Sequence, residues 1–585
     1  MLLQAAMGIM RARYNAAMSN PSSPASADAA SVCNIAAALP RLAAERPEQI
    51  AIRCPAGVDA QGRVRYTQQL SYAELDQRSD AIAAGLACIG IGRGVRCAVM
   101  VRPSPAFFLL MFALFKLGAV PVLIDPGIDK RALKQCLHEA APQAFIGIPL
   151  AQFARLLLGW GRGHVRQLVT VGQRWLWGGH TLAQVEALGA GCGPQLAATE
   201  GDEVAAILFT SGSTGVPKGV VYRHRHFVAQ IELLGRAFGI QPGGVDLPTF
   251  PPFALFDPAL GLTSVIPDMD PTRPARANPA KLIDAIQRFG VNQMFGSPAL
   301  LDVLSRYGEQ HAIRLPSLRR VTSAGAPVPP AVVERMQAML PEDGEIWTPY
   351  GATECLPVAV IEGRELRATR AATEAGAGTC VGRAVAPNEV RIIAIGDRAI
   401  ADWSEVRECA VGEVGEISVA GPTATDSYFE RPQATALAKI RETLPDGRTR
   451  IVHRMGDVGY VDGEGRLWFC GRKSHRVETA DGPRYTEQVE PIFNTHAAVR
   501  RSALVGVGKP GEQIPVLCIE RQPQSPISDD QLRAELRSLA QQFAHTRCLQ
   551  HLLFHPGFPV DIRHNAKIGR EILAAWAARQ VIAPR

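Results

Sequence analysis

The sequence predicts an α/β protein of more than one domain, and three observations predict it. Short apolar runs alternate with helical segments through most of the chain, the pattern of parallel β-α-β layers. The texture then changes at 376 to 420 to alternating and β-branched runs bounded by Gly and Pro, which suggests an antiparallel, barrel-like piece. Beyond Gly471 the elements become short, charged and polar, as in a separate small α+β C-terminal domain. A length of 585 residues is far beyond what one core supports.

Residues 1 to 18 carry Arg11, Arg13 and several methionines, but no small-residue cleavage site follows a proper apolar core. With the Ser/Pro/Ala stretch at 19 to 31, this end is expected to be extended or disordered up to residue 33. Ile35 to Arg46 reads as an amphipathic helix and Ala51 to Arg53 as a strand. Leu70 to Gly92 holds a helix that Ser71 caps, with Glu74 in the capping-box position. Val95–Val101, Val120–Ile124, Phe145–Ile148 and Gln167–Val171 read as strands. The most apolar window, Phe107 to Phe115, is too short to span a bilayer, so no membrane span is expected.

The pattern restarts near Val204. Phe227–Phe238 and Lys281–Phe289 read as helices, and Gln293–Phe295 and Arg320–Ser323 as strands, with no internal sequence repeat. Val390–Ile395 and Glu413–Val419 are the barrel-like strands, and Asp529–Ala544 and Ile568–Arg579 are helices of the last domain. The expected division is 34–470 for the large domain, 471–476 for a hinge and 477–585 for the mobile C-terminal domain.

A hydrophobic content of 47% with 20% charged residues is ordinary for a globular enzyme. A net charge of +7 without clustering on one face excludes a nucleic-acid footprint, and the densest basic run, Arg223 to His226, reads as a solvated turn. Twelve cysteines at irregular spacing, with no Cys-x-x-Cys pair, fit neither a metal cage nor a disulfide framework. Reduced thiols in a cytoplasm are expected.

The run Leu208 to Val220, Leu-Phe-Thr-Ser-Gly-Ser-Thr-Gly-Val-Pro-Lys-Gly-Val, has the composition a polyphosphate needs. Its glycines let backbone N–H groups converge on phosphate oxygens, its hydroxyls donate further bonds and Lys218 neutralises charge. A Walker A loop fails on spacing, because Lys218 follows Pro217 and precedes Gly219.

This run resembles the phosphate-binding signature of the adenylate-forming superfamily, which includes acyl-CoA synthetases, luciferases and the adenylation domains of peptide synthetases. The resemblance implies two stacked α/β subdomains, ATP as cosubstrate, and attack of a carboxylate on the α-phosphorus to give acyl-AMP and pyrophosphate. Thr210, Ser211, Gly212, Ser213, Thr214, Gly215 and Lys218 would hold the phosphates.

Pro349 to Glu354, Pro-Tyr-Gly-Ala-Thr-Glu, resembles the second signature of that family. Tyr350 with Gly351 would lie against adenine, Thr353 would contact the α-phosphate and Glu354 would hold Mg²⁺, which favours one or two carboxylates plus phosphate oxygens. Ser323 to Pro327 looks like the adenine-side loop, with Ala324, Gly325 and Ala326 small enough for a flat purine. In Met455 to Arg472, Asp457 would accept from the ribose hydroxyls and Arg472 would reach ribose or phosphate. Near the end, Lys567 matches the lysine the family swings over the nucleotide for adenylation.

Two departures bear on the product. Where the family carries Asp or Lys two residues after the Gly-Arg pair, this chain has Ser474; the Ile-x-x-x-Gly stretch used in thiol delivery is replaced by Val477 to Gly482. With Arg563 to Lys567 and the run 351 to 357, the chain from about residue 35 is most similar to the β-lactone synthetases of bacterial long-chain olefin biosynthesis. That resemblance implies a long-chain 2-alkyl-3-hydroxy acid as substrate, whose own hydroxyl attacks the adenylate and closes a β-lactone. It also implies pathway partners: a thiolase-like enzyme and a dehydrogenase upstream, and a β-lactone decarboxylase downstream.

Phe250 to Gly261 stands where the family lines its acyl site, and Asp257 and His224 are the candidate bases for the hydroxyl. The competing expectations are a long-chain acyl-CoA synthetase, a fatty acyl-AMP ligase, and a non-catalytic nucleotide or acyl-adenylate binding protein. Retention of Lys567 with Glu354 argues against the last. Lys567→Ala is expected to lower pyrophosphate release from acid and ATP by at least about a hundredfold; undiminished release would remove the role given to that lysine.

Overall fold

The most apolar segment of the chain, Pro105–Leu117, is a helix without a polar face, and such a helix has to be covered on all sides. In this computed structural model, which describes residues 32–125, 127–210, 217–523, 525–560 and 568–581, every residue from Phe107 to Lys116 is buried. Ser104 caps the start, and Gly118 ends the helix at φ 67°, where a Cβ would stand 2.9 Å from Thr199. The window too short to span a bilayer is therefore the centre of the largest apolar core. No helix among the described residues is long and apolar enough to cross a membrane.

Two sheets flank this region. The first orders its strands His180–Thr181, Gln167–Thr170, Ala144–Gly147, Arg96–Met100, Val120–Ile124, Val204–Thr210 and Lys218–Arg223. All neighbours are parallel except the last pair. The second runs in parallel through Ile50–Cys54, Thr263–Val265, Val245–Pro248, Gln293–Phe295, Arg320–Thr322 and Glu345–Ala352. It then continues in antiparallel fashion through Cys355–Glu362, Thr379–Ala384, Leu467–Arg472, Thr449–Val461, Gly415–Ala420 and Glu389–Ile393. The strands expected at 376 to 420 thus extend the second sheet.

Local chemistry explains the element boundaries. Ser71 accepts from the Glu74 backbone N–H while the Glu74 carboxylate accepts from that of Ser71, so the predicted capping box opens the helix Tyr72–Cys88. Asn34 caps the first turn at Ile35–Ala37, and Cys33 is already tied to Thr199, its N–H donating to the Thr199 carbonyl and its carbonyl accepting from the Thr199 hydroxyl. The disorder expected before this point concerns residues that, up to position 31, lie outside the described ones.

Beyond the strand Leu467–Arg472 comes a single 3-10 turn, Lys473–His475, and then a part with apolar clusters of its own, drawn only from residues 477 to 581. Its strands Val499–Val507, Ile514–Arg521 and His551–Phe554 form one sheet against the helices Thr486–Asn494, Asp529–Gln541 and Arg570–Val581. The junction is mixed: Tyr485 packs against Val458 and Cys470, and ion pairs and hydrogen bonds flank that contact. Lys473 Nζ lies 2.9 Å from Glu416 Oε1, a buried carboxylate that Arg454 also contacts at 2.6 Å. Thr379 donates to Glu487 across it at 2.8 Å, and burial pushes the Glu487 carboxyl up to about 7.

The last helical turn of the central helix carries its one charge. Lys116 is fully buried and reaches Asp76 and Asp80 of the neighbouring helix, both at 2.6 Å. Burial raises the Asp80 carboxyl while the Lys116 ammonium opposes that shift. Removing one partner of a buried pair leaves an uncompensated charge. Lys116→Met is therefore expected to lower the unfolding free energy by about 3 kcal/mol in urea titration, with Asp80→Asn in the same chain recovering part of the loss.

Candidate active site

The strands on either side of the phosphate-type loop pair with each other. Val204–Thr210 and Lys218–Arg223 pair in antiparallel register with Thr210 opposite Lys218. A P-loop leads from strand to helix, so topology joins spacing in excluding one. Gly219 must be glycine, because a Cβ there would stand 2.9 Å from both Ile207 and Phe209. Ser211, Gly212, Ser213, Thr214 and Gly215 lie outside the described residues, as does the side chain of Thr210. Lys218 is exposed, with its ammonium 5.0 Å from the ring centre of Tyr428.

Tyr428 is brought there by a segment that lies along the hairpin. Val221 N–H donates to Ser427 at 3.1 Å and Phe429 N–H to Gly219 at 2.7 Å. From this seat the Tyr428 hydroxyl donates to Glu354 Oε1 at 2.7 Å. Thr353 and Glu354 form the tip of the hairpin between Glu345–Ala352 and Cys355–Glu362. The chain closes tightly there, since a Cβ on Gly351 would stand 2.7 Å from the Cys355 carbonyl.

Both ends of Glu354 are fixed. Its carbonyl accepts from Thr425 N–H at 2.9 Å and from the Thr425 hydroxyl at 3.0 Å, and the Thr425 carbonyl in turn accepts from the buried Lys439 ammonium. Burial pushes Lys439 down to about 8, against the pull of the Glu354 charge. The Tyr222 hydroxyl donates to the Thr353 carbonyl. No group of three or more potential metal-ligating side chains occurs among the described residues. Glu354 is half-buried with Oε1 bonded to Tyr428, and a single carboxylate of this kind would suit a magnesium ion that takes its remaining ligands from phosphate and water. Such an ion would neutralise charge on the phosphates.

The second cluster is built on Asp457. It is buried, stands opposite Arg472 in the strand pairing, and its Oδ2 accepts from the Tyr350 hydroxyl at 2.6 Å. Arg472 Nη1 lies 2.9 Å from Oδ1, an ion pair that leaves this buried oxygen without a well-aligned hydrogen bond. Burial raises the Asp457 carboxyl, and Arg472 and the Tyr350 hydroxyl counter that shift. An acceptor oxygen without a donor fits a ribose hydroxyl.

The small-residue loop follows the strand Arg320–Thr322. Gly325 has φ 97°, a left-handed conformation that Ala324 and Ala326 would not adopt readily. Ser323 Oγ is buried without a partner, a second orphan at the carboxyl ends of the parallel strands. Open α/β sheets bind their ligands at that end.

Two candidate bases are placed elsewhere, which corrects their reading as site residues. His224 begins the helix after the second hairpin strand, roughly 20 Å along that strand from Lys218 at about 3.4 Å per residue. It is fully buried, its Nδ1 accepts from Ile35 N–H at 3.4 Å, and burial pushes it down to about 4. Asp257 accepts from Ser264 at 2.6 Å and shares its pocket with Asp246. Ser264, Asp246, Gln293, Arg320 and Glu345 form one row across the sheet, roughly 17 Å along the strand from Tyr350. Burial raises both carboxyls, Asp257 to about 7, the behaviour of two acids holding one proton between them.

The basic run is not a solvated turn either. His224 and His226 are fully buried, while Arg223 and Arg225 each reach Asp426 at 2.6 Å. The sequence carries no spacing signal for Tyr428, Thr425 or Lys439, which meet Glu354 only after the sheets are assembled. Lys567 lies outside the described residues.

The AMP-binding enzyme family model matches residues 39–429. The chain is 72% identical over 550 residues, 94% of its length and 98% of the relative's, to an olefin beta-lactone synthetase of Xanthomonas campestris pv. campestris. It is 70% identical, over 94% of its length and 99% of the relative's, to an olefin beta-lactone synthetase of Stenotrophomonas maltophilia. Among solved structures, ATP-bound MatB from Rhodopseudomonas palustris superposes with a TM-score of 0.72 at 20% identity, covering 93% of this chain and 99% of that one.

The contact between Tyr428 and Glu354 makes a testable difference. Tyr428→Phe is expected to slow pyrophosphate release at least about tenfold, the worth of one hydrogen bond to a charged group, and to raise the magnesium concentration needed for half-maximal rate. A magnesium titration of both proteins checks it.

Proposed function

The chain belongs to the AMP-binding enzyme family, and from that premise we propose that it is an ATP-dependent olefin β-lactone synthetase that activates a long-chain 2-alkyl-3-hydroxy acid. A carboxylate oxygen of the acid attacks the α-phosphorus of ATP, the bond to pyrophosphate breaks, and acyl-AMP forms. The 3-hydroxyl oxygen then attacks the acyl carbon, the bond to AMP breaks, AMP leaves with the electron pair, and the hydroxyl proton passes to a basic oxygen at the site or to water. A four-membered ring closes only from an activated acid, and an intramolecular nucleophile supplies the proximity.

The observation that carries the choice of product is the 72% identity over 94% of the chain to a relative of that name. Features of this chain support it. Buried oxygens of Asp457 and Ser323 that lack a hydrogen-bond partner suit a nucleotide. At the junction where thiol-delivering relatives carry Asp or Lys, Ser474 is exposed and the neighbouring Lys473 is tied to Glu416. Val477–Thr479 and Gly482–Arg484 fold into a short hairpin in place of the Ile-x-x-x-Gly stretch.

Each site residue then has a task. Lys218 and the loop before it hold the phosphates, Glu354 takes Mg²⁺, Thr353 stands by the α-phosphate, Asp457 accepts from the ribose, and Arg472 offsets charge beside it. Lys567 arrives with the C-terminal domain, which turns about a hinge at 471–476. Phe250, Phe253 and Phe295, half-buried rings with centres 5.0 and 4.7 Å apart, lie at the carboxyl ends of their strands and suit an alkyl chain. The substrate would come from a thiolase-like enzyme and a dehydrogenase, the product would pass to a decarboxylase, and twelve free thiols suit a cytoplasmic location.

The deciding experiment supplies ATP, Mg²⁺ and a long-chain 2-alkyl-3-hydroxy acid, with and without coenzyme A, and identifies products by NMR. Lactone and AMP are expected without coenzyme A. A product formed only when coenzyme A is present would overturn the reading in favour of an acyl-CoA synthetase.

A further inference from the structure

The helix Pro149–Leu158 is apolar on both sides. Its inner face packs Ala151, Ala154 and Leu158 onto the first sheet, and the buried Gln152 amide pins it there by donating to the Phe145 and Val169 carbonyls at 3.4 and 3.0 Å. Its outer face carries Leu150, Phe153, Leu156 and Leu157, exposed by 61, 50, 53 and 73%. A surface helix normally turns polar residues outward.

The loop after the neighbouring strand Gln167–Thr170 adds to this face. It starts against the helix, since a Cβ on Gly172 would stand 3.7 Å from Pro149, and it presents Trp175 at 53% and Leu176 at full exposure. Isolated exposed apolar residues need no explanation, but a contiguous set marks an interaction surface.

Charge says what kind. No aspartate or glutamate occurs between Glu139 and Glu186, while Arg162, Arg166 and Arg174 in that stretch are exposed and form no ion pair among the described residues. We propose that this face docks peripherally on an anionic lipid bilayer, with Phe153, Leu157, Trp175 and Leu176 entering the acyl boundary and the three arginines meeting lipid phosphates. The apolar tips project from a helix and a loop, which suits a fluid acyl phase that asks for no matching shape. Leu, Trp and Arg without acids is the composition of an interfacial element, and with no described helix able to cross a membrane the attachment is to one leaflet. An enzyme held there would meet long-chain amphiphilic acids where they partition.

Sedimentation of the full chain with vesicles tests this. Binding is expected to mixed phosphatidylglycerol and phosphatidylcholine vesicles, with little to phosphatidylcholine alone, and to weaken as salt rises. Phe153→Glu with Leu157→Glu is expected to lower it at least about tenfold, and Arg162→Gln, Arg166→Gln and Arg174→Gln about fivefold each, with thermal unfolding midpoints unchanged. Failure of the unaltered protein to bind anionic vesicles, or binding that neither set of changes reduces, overturns the proposal. So does a self-associated species in light scattering that Phe153→Glu dissolves while vesicle binding persists, because the face would then be a protein interface.

Discussion

Asp457 is a carboxylate taken out of water at the place where the strand Thr449–Val461, its partner Leu467–Arg472 and the hairpin strand Glu345–Ala352 come together. A buried charge of that kind needs a countercharge and donors, and it finds them in Arg472 and the Tyr350 hydroxyl. Much else follows from this contact. The strand pairing that sets Asp457 opposite Arg472 also fixes where the chain leaves the large sheet, because the turn Lys473–His475 begins at the next residue. The buried Asp457 carboxylate and the exit to the C-terminal part are thus built on one pair of residues.

A second buried network holds the phosphate side to the same frame. The 425–429 segment runs from the Glu354 carbonyl to the phosphate hairpin, with Thr425 at one end and the backbone of Phe429 at the other. Lys439 beneath it and Asp426 between Arg223 and Arg225 keep its polar groups partnered. Tyr428 is the visible product of this seating: its ring faces the Lys218 ammonium and its hydroxyl meets Glu354. Lys218 and Glu354 belong to different sheets, and one tyrosine spans them.

Much of the fold was legible because it rests on local chemistry. Ser71 with Glu74 marks a helix start whatever lies around it, and the apolar strands of the first sheet read as short runs because both faces are covered. The signature runs at 208 to 220, 349 to 354 and 455 to 472 identify nucleotide chemistry by residue type and order. The misread residues are those whose meaning depends on burial. Arg223 to His226 looks like a solvated charge run, yet its histidines are interior and its arginines are partnered by an aspartate distant in sequence. Asp257 stands in the right stretch for an acyl-site base, but its strand neighbours bind it to Ser264 and Asp246 at the other end of the sheet.

By itself, then, the sequence determined the class of fold, the order of its layers and the chemistry of the first half-reaction, because glycine placement, capping residues and apolar runs act over a few neighbouring positions. Only the tertiary structure decided which distant polar groups meet. Tyr428 reaches Glu354 across 74 positions and Tyr350 reaches Asp457 across 107, and separations of that size are set by sheet order and register. It also decided that the apolar side chains of Pro149–Leu158 divide between core and surface, since their periodicity alone marks one face and cannot say what covers the other.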